Sequence, residues 1–269
     1  MEEFLNKRKS RLVAVSLLII LSVVVIFAGS RLYSQYREQV IRTEESQLLT
    51  MAGIVGNNLN SYMEQQLEEI DLFYSQEGMP ENVWAESGGI NARTAYFLKE
   101  NAGVYNWITV TEPDGTKFRY EPGKKTFRES ADGEVKAVDS QHGNHPAEIT
   151  GKEISDQTGW YELYIEKNIP VGSEVYMLTF AMDLGALYEK IVAPVKIGEA
   201  GYSSVKDQNM NIIMHHVKNQ IGLEAVDGRI ERYPYLDMSS LNAWIMRQEN
   251  ENSGTGVIDT YVWDDPELK

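Results

Sequence analysis

Asp183 is the side chain in this sequence best placed to do chemistry. It closes a strand-patterned run, Val175–Met182 (VYMLTFAM), on the face that carries Thr179 and Ala181. Those small neighbours leave room, and a carboxylate beside room can hold an ammonium group. The same residue directly precedes a helix pattern, Leu184–Val192, and so also suits the role of N-cap, accepting from backbone N–H groups of the first turn. The two roles are compatible. Tyr105, Trp107, Trp160 and Tyr164 stand on or beside strand-patterned segments, where aromatic side chains either pack a sheet or wall a small-ligand pocket. Arg119 and Arg128 qualify by type as partners for a ligand carboxylate.

Other chemistries lack their residues. His142 and His145 form an H-x-x-H in a polar loop, but a metal site takes three or four ligands with supporting hydrogen bonds, and two loop histidines point to solvent instead. His215 and His216 sit at a strand end. There is no G-x-S-x-G, no phosphate-binding P-loop and no H-E-x-x-H, so neither a catalytic centre nor a cofactor is expected. The absence of cysteine excludes disulfides, zinc–thiolate sites and thiol catalysis. With 40 acidic residues against 25 basic, carboxylate pairs are too common to diagnose a glycosidase. The net charge of −15 argues against nucleic acid and anionic lipid head groups as partners. The part beyond Gly29 is more negative still, because residues 1–29 hold four basic and two acidic side chains.

The elements that position these residues begin with an apolar run, Leu12–Gly29 (LVAVSLLIILSVVVIFAG), preceded by Lys7, Arg8, Lys9 and Arg11. A hydrocarbon core of ~30 Å needs about 17 to 25 apolar helical residues. The run therefore predicts a transmembrane helix with the N-terminus, residues 1–11, in the cytoplasm and the bulk of the chain outside. A cleaved signal peptide is the alternative, with Ala28-Gly29-Ser30 as its site, but its apolar core would be about 7–15 residues. Residues 30–75 read as one long juxtamembrane helix. Ile41, Leu48, Ala52, Val55, Leu59, Tyr62, Ile70 and Phe73 mark a stripe of near-heptad period, with Gln66 at the missing step. Such a stripe either packs on its own domain or pairs two copies into a homodimer.

Gly78-Met79-Pro80 ends that pattern. A helix is predicted over Ala92–Asn101, with Asn91 as N-cap and Gly103 just past its end. Val104–Thr111, turning at Pro113-Asp114-Gly115 into Thr116–Glu121, predicts a hairpin. Gly123–Ser155 is polar and predicts a long loop with short helical pieces. Strands are predicted over Trp160–Lys167 and Val175–Met182. A second strand group follows at Tyr202–Lys206 and Ile212–His215, then a helical stretch over Pro234–Arg247 and a last strand over Val257–Trp263. The fold class is α+β with antiparallel sheets.

Within Met177–Gly222, Asp183, Leu187, Gly201, Tyr202, Asp207, Ile212, Ile213, His215 and Gly222 fall in the pattern of a strand end, helix, G-x-x-G-Y turn and hairpin. This stretch resembles the Cache family, the PAS-like extracytoplasmic sensor domains of bacterial receptors. The anchor, the long helix and the segment SGTGVIDTYVW are similar to the double Cache layout. Met210 stands where the family has a hairpin glycine and His216 where it has a proline, and since Met adopts positive φ less freely than Gly, a longer or different turn is expected.

The resemblance implies a membrane-distal PAS-like domain over 76–195 and a partial membrane-proximal one over 196–269. A full copy, a second span and a cytoplasmic output of the histidine kinase, diguanylate cyclase or chemoreceptor type would follow. In amino-acid-binding members the Asp matching Asp183 holds the ligand amine. Their Arg-x-Trp-Tyr motif is not carried over, because Thr158 precedes Trp160-Tyr161. The implied function is sensing of a small extracellular ligand, an amino acid or carboxylate, with a closed pocket over a five-stranded sheet and Asp183 at its edge. A membrane-anchored hydrolase with acidic residues from Gly123–Ser155, or a non-enzymatic surface assembly protein, are the alternatives.

Overall fold

The computed structural model describes residues 2–75, 89–124, 127–128, 145–196, 201–248, 250–251, 253–256 and 258, with side chains from residue 16 onward except those of 127 and 128. The chain divides into two units, residues 1–50 and 51–269. The first is part of a single helix, α1 (Glu2–Tyr74), and contains the one described stretch long and apolar enough to cross a membrane. Leu17 to Phe27 expose their apolar side chains.

In the second unit the stripe of α1 is packed. Val55, Ile70 and Tyr74 are buried, and Leu59, Tyr62, Met63, Leu67 and Phe73 join the same core. Helix α2 (Gly89–Glu100) lies beside this stretch, with Phe97 in ring contact with Phe73 and Tyr74. It begins earlier than expected. Asn91 is inside the helix, and its side chain accepts from the Tyr120 hydroxyl at 2.6 Å.

The sheet has six antiparallel strands: β1 (Tyr105–Thr111), β2 (Lys117–Tyr120), β3 (Phe127–Arg128), β4 (Glu148–Ile154), β5 (Tyr161–Val171) and β6 (Glu174–Asp183), in the order β3-β2-β1-β6-β5-β4. Ile108, Val110, Ile165, Leu178 and Phe180 point at the helices and are buried. The same face carries a buried lysine. Lys167 donates to the His145 carbonyl at 2.7 Å and pairs with Asp71 of α1 at 2.8 Å, and Asp71 also accepts the Ala147 N–H.

Two expectations for this sheet are corrected. The segment Gly123–Ser155 contributes strands where a loop with helical pieces was predicted. β4 is an edge strand, and Glu148, Ile149, Thr150, Lys152, Glu153 and Ile154 are exposed on both of its faces, so no apolar alternation marks it. And β5 runs on through Pro170, which lies beyond the reach of β4, where the missing N–H leaves no ladder bond unmade.

Helix α3 (Leu184–Leu187) passes into a π-turn over Tyr188–Val192, closed by the Ala193 N–H to Tyr188 carbonyl bond of 2.8 Å. Beyond Gly201 come the hairpin β7 (Val205–Lys206) and β8 (Ile212–Met214), then α4 (Asp227–Arg232) and α5 (Ser239–Gln248), around a small core of Ile212, Ala225 and Ile245. The helical stretch expected over Pro234–Arg247 is α5. The expected strand over 257–263 lies outside the described residues, Ile258 excepted, as does His142.

The β7–β8 turn corrects another expectation. Met210 takes φ +61°, the glycine-type conformation itself, instead of forcing a different turn. Asp207 braces it, its Oδ1 accepting from the Asn209 and Asn211 N–H groups at 2.9 and 2.8 Å, while Oδ2 pairs with Lys152 at 2.9 Å.

Candidate functional site

On the sheet face opposite its buried core, Gly151, Tyr164, Ala181 and Trp107 are cross-strand neighbours in one row. Gly151 and Ala181 are the small members of that row. The rings of Trp107 and Tyr164 meet across Ala181 with centroids 5.6 Å apart. They form the wall of a cleft of about 530 Å³ that also borders Arg119, Lys124, Glu153 and Glu162, a size suited to a small molecule.

Polar groups lock this wall. Glu162 is only 6% exposed, and both its oxygens are used: Asn106 Nδ2 donates to Oε1 at 2.8 Å and Trp107 Nε1 to Oε2 at 3.0 Å. The Arg119 guanidinium lies 4.2 Å over the Trp107 ring and its Nε pairs with Glu121 at 3.2 Å. The Tyr164 hydroxyl donates to Glu153 at 3.1 Å. Burial, then the bond to Glu153 and the charges of Glu153 and Glu162, push its pKa up to about 12, with Arg119 pulling the other way. Tyr164 is therefore a neutral donor across the physiological range.

Of the residues singled out by sequence, Trp107, Arg119 and Tyr164 come together here. Tyr105 borders the cleft, but its ring is buried on the helix face between Phe97 and Phe180, where desolvation raises its pKa. Trp160 packs on Tyr188 at 5.2 Å and over Gly185, under α3. Asp183 caps α3, accepting the Gly185 N–H at 2.8 Å, and sits opposite Glu162 in register without lining the cleft. Arg128 is on β3, its side chain outside the described residues. Asn106, Glu153 and Glu162 were missed. The alternation Glu162, Tyr164, Glu166 does put Glu162 on the face of Tyr164, but its burial depends on residues 55 and 56 positions away.

A second polar cluster lies beyond Gly201. His215 is buried, stacks on His216 at 4.6 Å and accepts the Val217 N–H at Nδ1. Burial, with His216 and Arg229 nearby, lowers its pKa to about 4. Gln220 donates to the Tyr233 hydroxyl at 2.7 Å and accepts from Arg229 at 3.2 Å.

No family model and no curated protein matches the chain. Solved structures do. The domain of a putative sensory box/GGDEF family protein from Vibrio parahaemolyticus aligns over 80% of this chain and 86% of its own, at 16% identity and a TM-score of 0.53. The ligand-binding domain of the Pseudomonas aeruginosa amino acid chemoreceptor PctC, in complex with GABA, aligns over 71% and 82%, at 17% identity and a TM-score of 0.51. The fold is that of the Cache, PAS-like sensor domains. In this sheet the cleft sits on the face away from the helices, lined from strands β1, β2, β4 and β5. Gly222, at one of the positions that carried the resemblance, takes φ +88°, and a Cβ there would lie 2.6 Å from Ile154 Cδ1. Its glycine is favoured by conformation, since Ile154 Cδ1 ends an exposed side chain that can swing aside. The Cache sheet differs from the expected one in having six strands and in leaving Asp183 off the cleft wall.

Proposed function

We propose that this chain is the small-ligand sensing module of a bacterial transmembrane receptor. The apolar run of α1 anchors it, with the sheet domain outside the cytoplasm. Histidine kinase, diguanylate cyclase and chemoreceptor outputs all suit such a module. The observation that carries the reading is the Trp107–Tyr164 cleft, built on a Cache sheet and bordered by both a guanidinium and carboxylates. Mixed charge beside an aromatic wall suits a zwitterion, and an amino acid or related carboxylate is the ligand class. The GABA complex of PctC, a protein of the same fold, supports that class. Ile41 and Leu48, exposed on α1 at heptad spacing, suit pairing with a second copy of the chain.

The test is a thermal-shift screen of the full chain in lipid nanodiscs against amino acids, GABA, dicarboxylates and amines. At least one should raise Tm saturably, since a ligand bound to the folded state stabilises it by mass action. Trp107→Ala should abolish that shift. A panel without any saturable shift overturns the reading.

A further inference from the structure

Between them, three consecutive residues of β1 reach both the cleft and the helix α1. The Tyr105 hydroxyl donates to Gln66 Oε1 of α1 at 3.1 Å, and the two residues are 1% and 4% exposed. Asn106 and Trp107 then donate to the two oxygens of Glu162. In a regular strand Tyr105 and Trp107 would share a face. Here Tyr105 pairs with Met182 and Trp107 with Ala181, so β1 spends one extra residue, Asn106, against β6. This β-bulge is what sends Tyr105 to the helix and Trp107 to the cleft.

We propose that the bulge couples the cleft to α1, with Glu162 as the positioning residue that holds it in register. The extra residue of a bulge has no partner in the ladder. Glu162 of β5, two strands away, instead ties down the Asn106 side chain with one oxygen and clamps the Trp107 indole with the other. Loss of that clamp frees β1 to drop the bulge. Regular pairing would turn Tyr105 toward the cleft face and strip Gln66, buried on α1, of its donor. Two discrete registers joined to two sites form a switch that both sites can bias. A ligand reaching Trp107, or the Arg119 stacked on it, acts on the same bond. Only the direction of signalling rests on the sensing function proposed above.

The coupling is tested without ligand, so a failed ligand screen leaves the result intact. Hydrogen exchange is followed by mass spectrometry on the full chain in nanodiscs. Glu162→Gln should speed exchange about tenfold or more in α1 peptides around Gln66 as well as in β1. Glu153→Gln, which alters the acid bonded to Tyr164 in the same cleft, should leave α1 unchanged. In a Tyr105→Phe background, Glu162→Gln should add nothing further in α1. Acceleration confined to β1 and β5, or an undiminished α1 response in the Tyr105→Phe background, would overturn the proposal. Should Glu162→Gln fail to melt cooperatively, Asn106→Ser removes one of the two clamping bonds and is held to the same outcomes.

Discussion

The indole N–H of Trp107 and the carboxylate of Glu162 meet at 3.0 Å across β6, joining residues 55 apart in sequence. Burying a carboxylate is costly unless its oxygens are hydrogen-bonded, and this bond satisfies one of the two. Trp107→Phe keeps an aromatic wall but removes the donor. It should cost about 1–3 kcal/mol in chemical denaturation, and Trp107→Phe combined with Glu162→Leu should recover part of that loss.

Trp160 lies flat on Gly185. A Cβ at 185 would sit 2.6 Å from Trp160 Cγ, inside any real contact distance. Gly185→Ala should therefore destabilise by about 1–3 kcal/mol despite alanine's better helix propensity. Adding Trp160→Leu should cancel much of the overpacking. Simple additivity of the two losses in urea melts would show that the Gly185→Ala loss does not come from contact with the ring.

Asp71 holds both Lys167 and the Ala147 N–H. Removing one partner of a buried ion pair costs about 3–5 kcal/mol. Asp71 is 32% exposed, so solvent screening reduces this, and Asp71→Ala should lose about 2 kcal/mol. The double variant Asp71→Leu, Lys167→Met should lie closer to wild type than Asp71→Ala does, as read from urea midpoints.

His215 predicts a pH dependence with a definite sign. Its pKa falls from 6.5 to about 4 on folding, through burial first and then His216 and Arg229. Between those values the unfolded chain binds more protons, so this group's contribution is intact above pH 6.5 and is lost as pH drops toward 4. The loss should reach about 1–3 kcal/mol. His215→Asn keeps an acceptor for Val217 and should flatten that part of the profile. Parallel slopes for variant and wild type in urea melts at stepped pH would contradict the assignment.

Local signals were strong wherever one side chain's environment is set by its own element. The apolar run needs only its composition to be a candidate span. The stripe from Val55 to Phe73 packs as its period requires, and Gln66, the polar step in it, is buried because Tyr105 meets it. The alternation of β1, β5 and β6 marked the central strands.

Where pairing decides, sequence was silent. β4 is a strand only through its bonds to β5, since both its faces are wet. Met210 takes φ +61° because Asp207 and the small core beside it hold the turn. Period-two alternation puts Tyr105 and Trp107 on one wall. One extra residue, Asn106, separates them, and it is held by a glutamate from a strand two places across the sheet. Composition and periodicity determined the candidate membrane span, the long helix and the antiparallel sheet. Which aromatic residues face the cleft was decided by a bulge, and a bulge is a property of two strands in register rather than of either one.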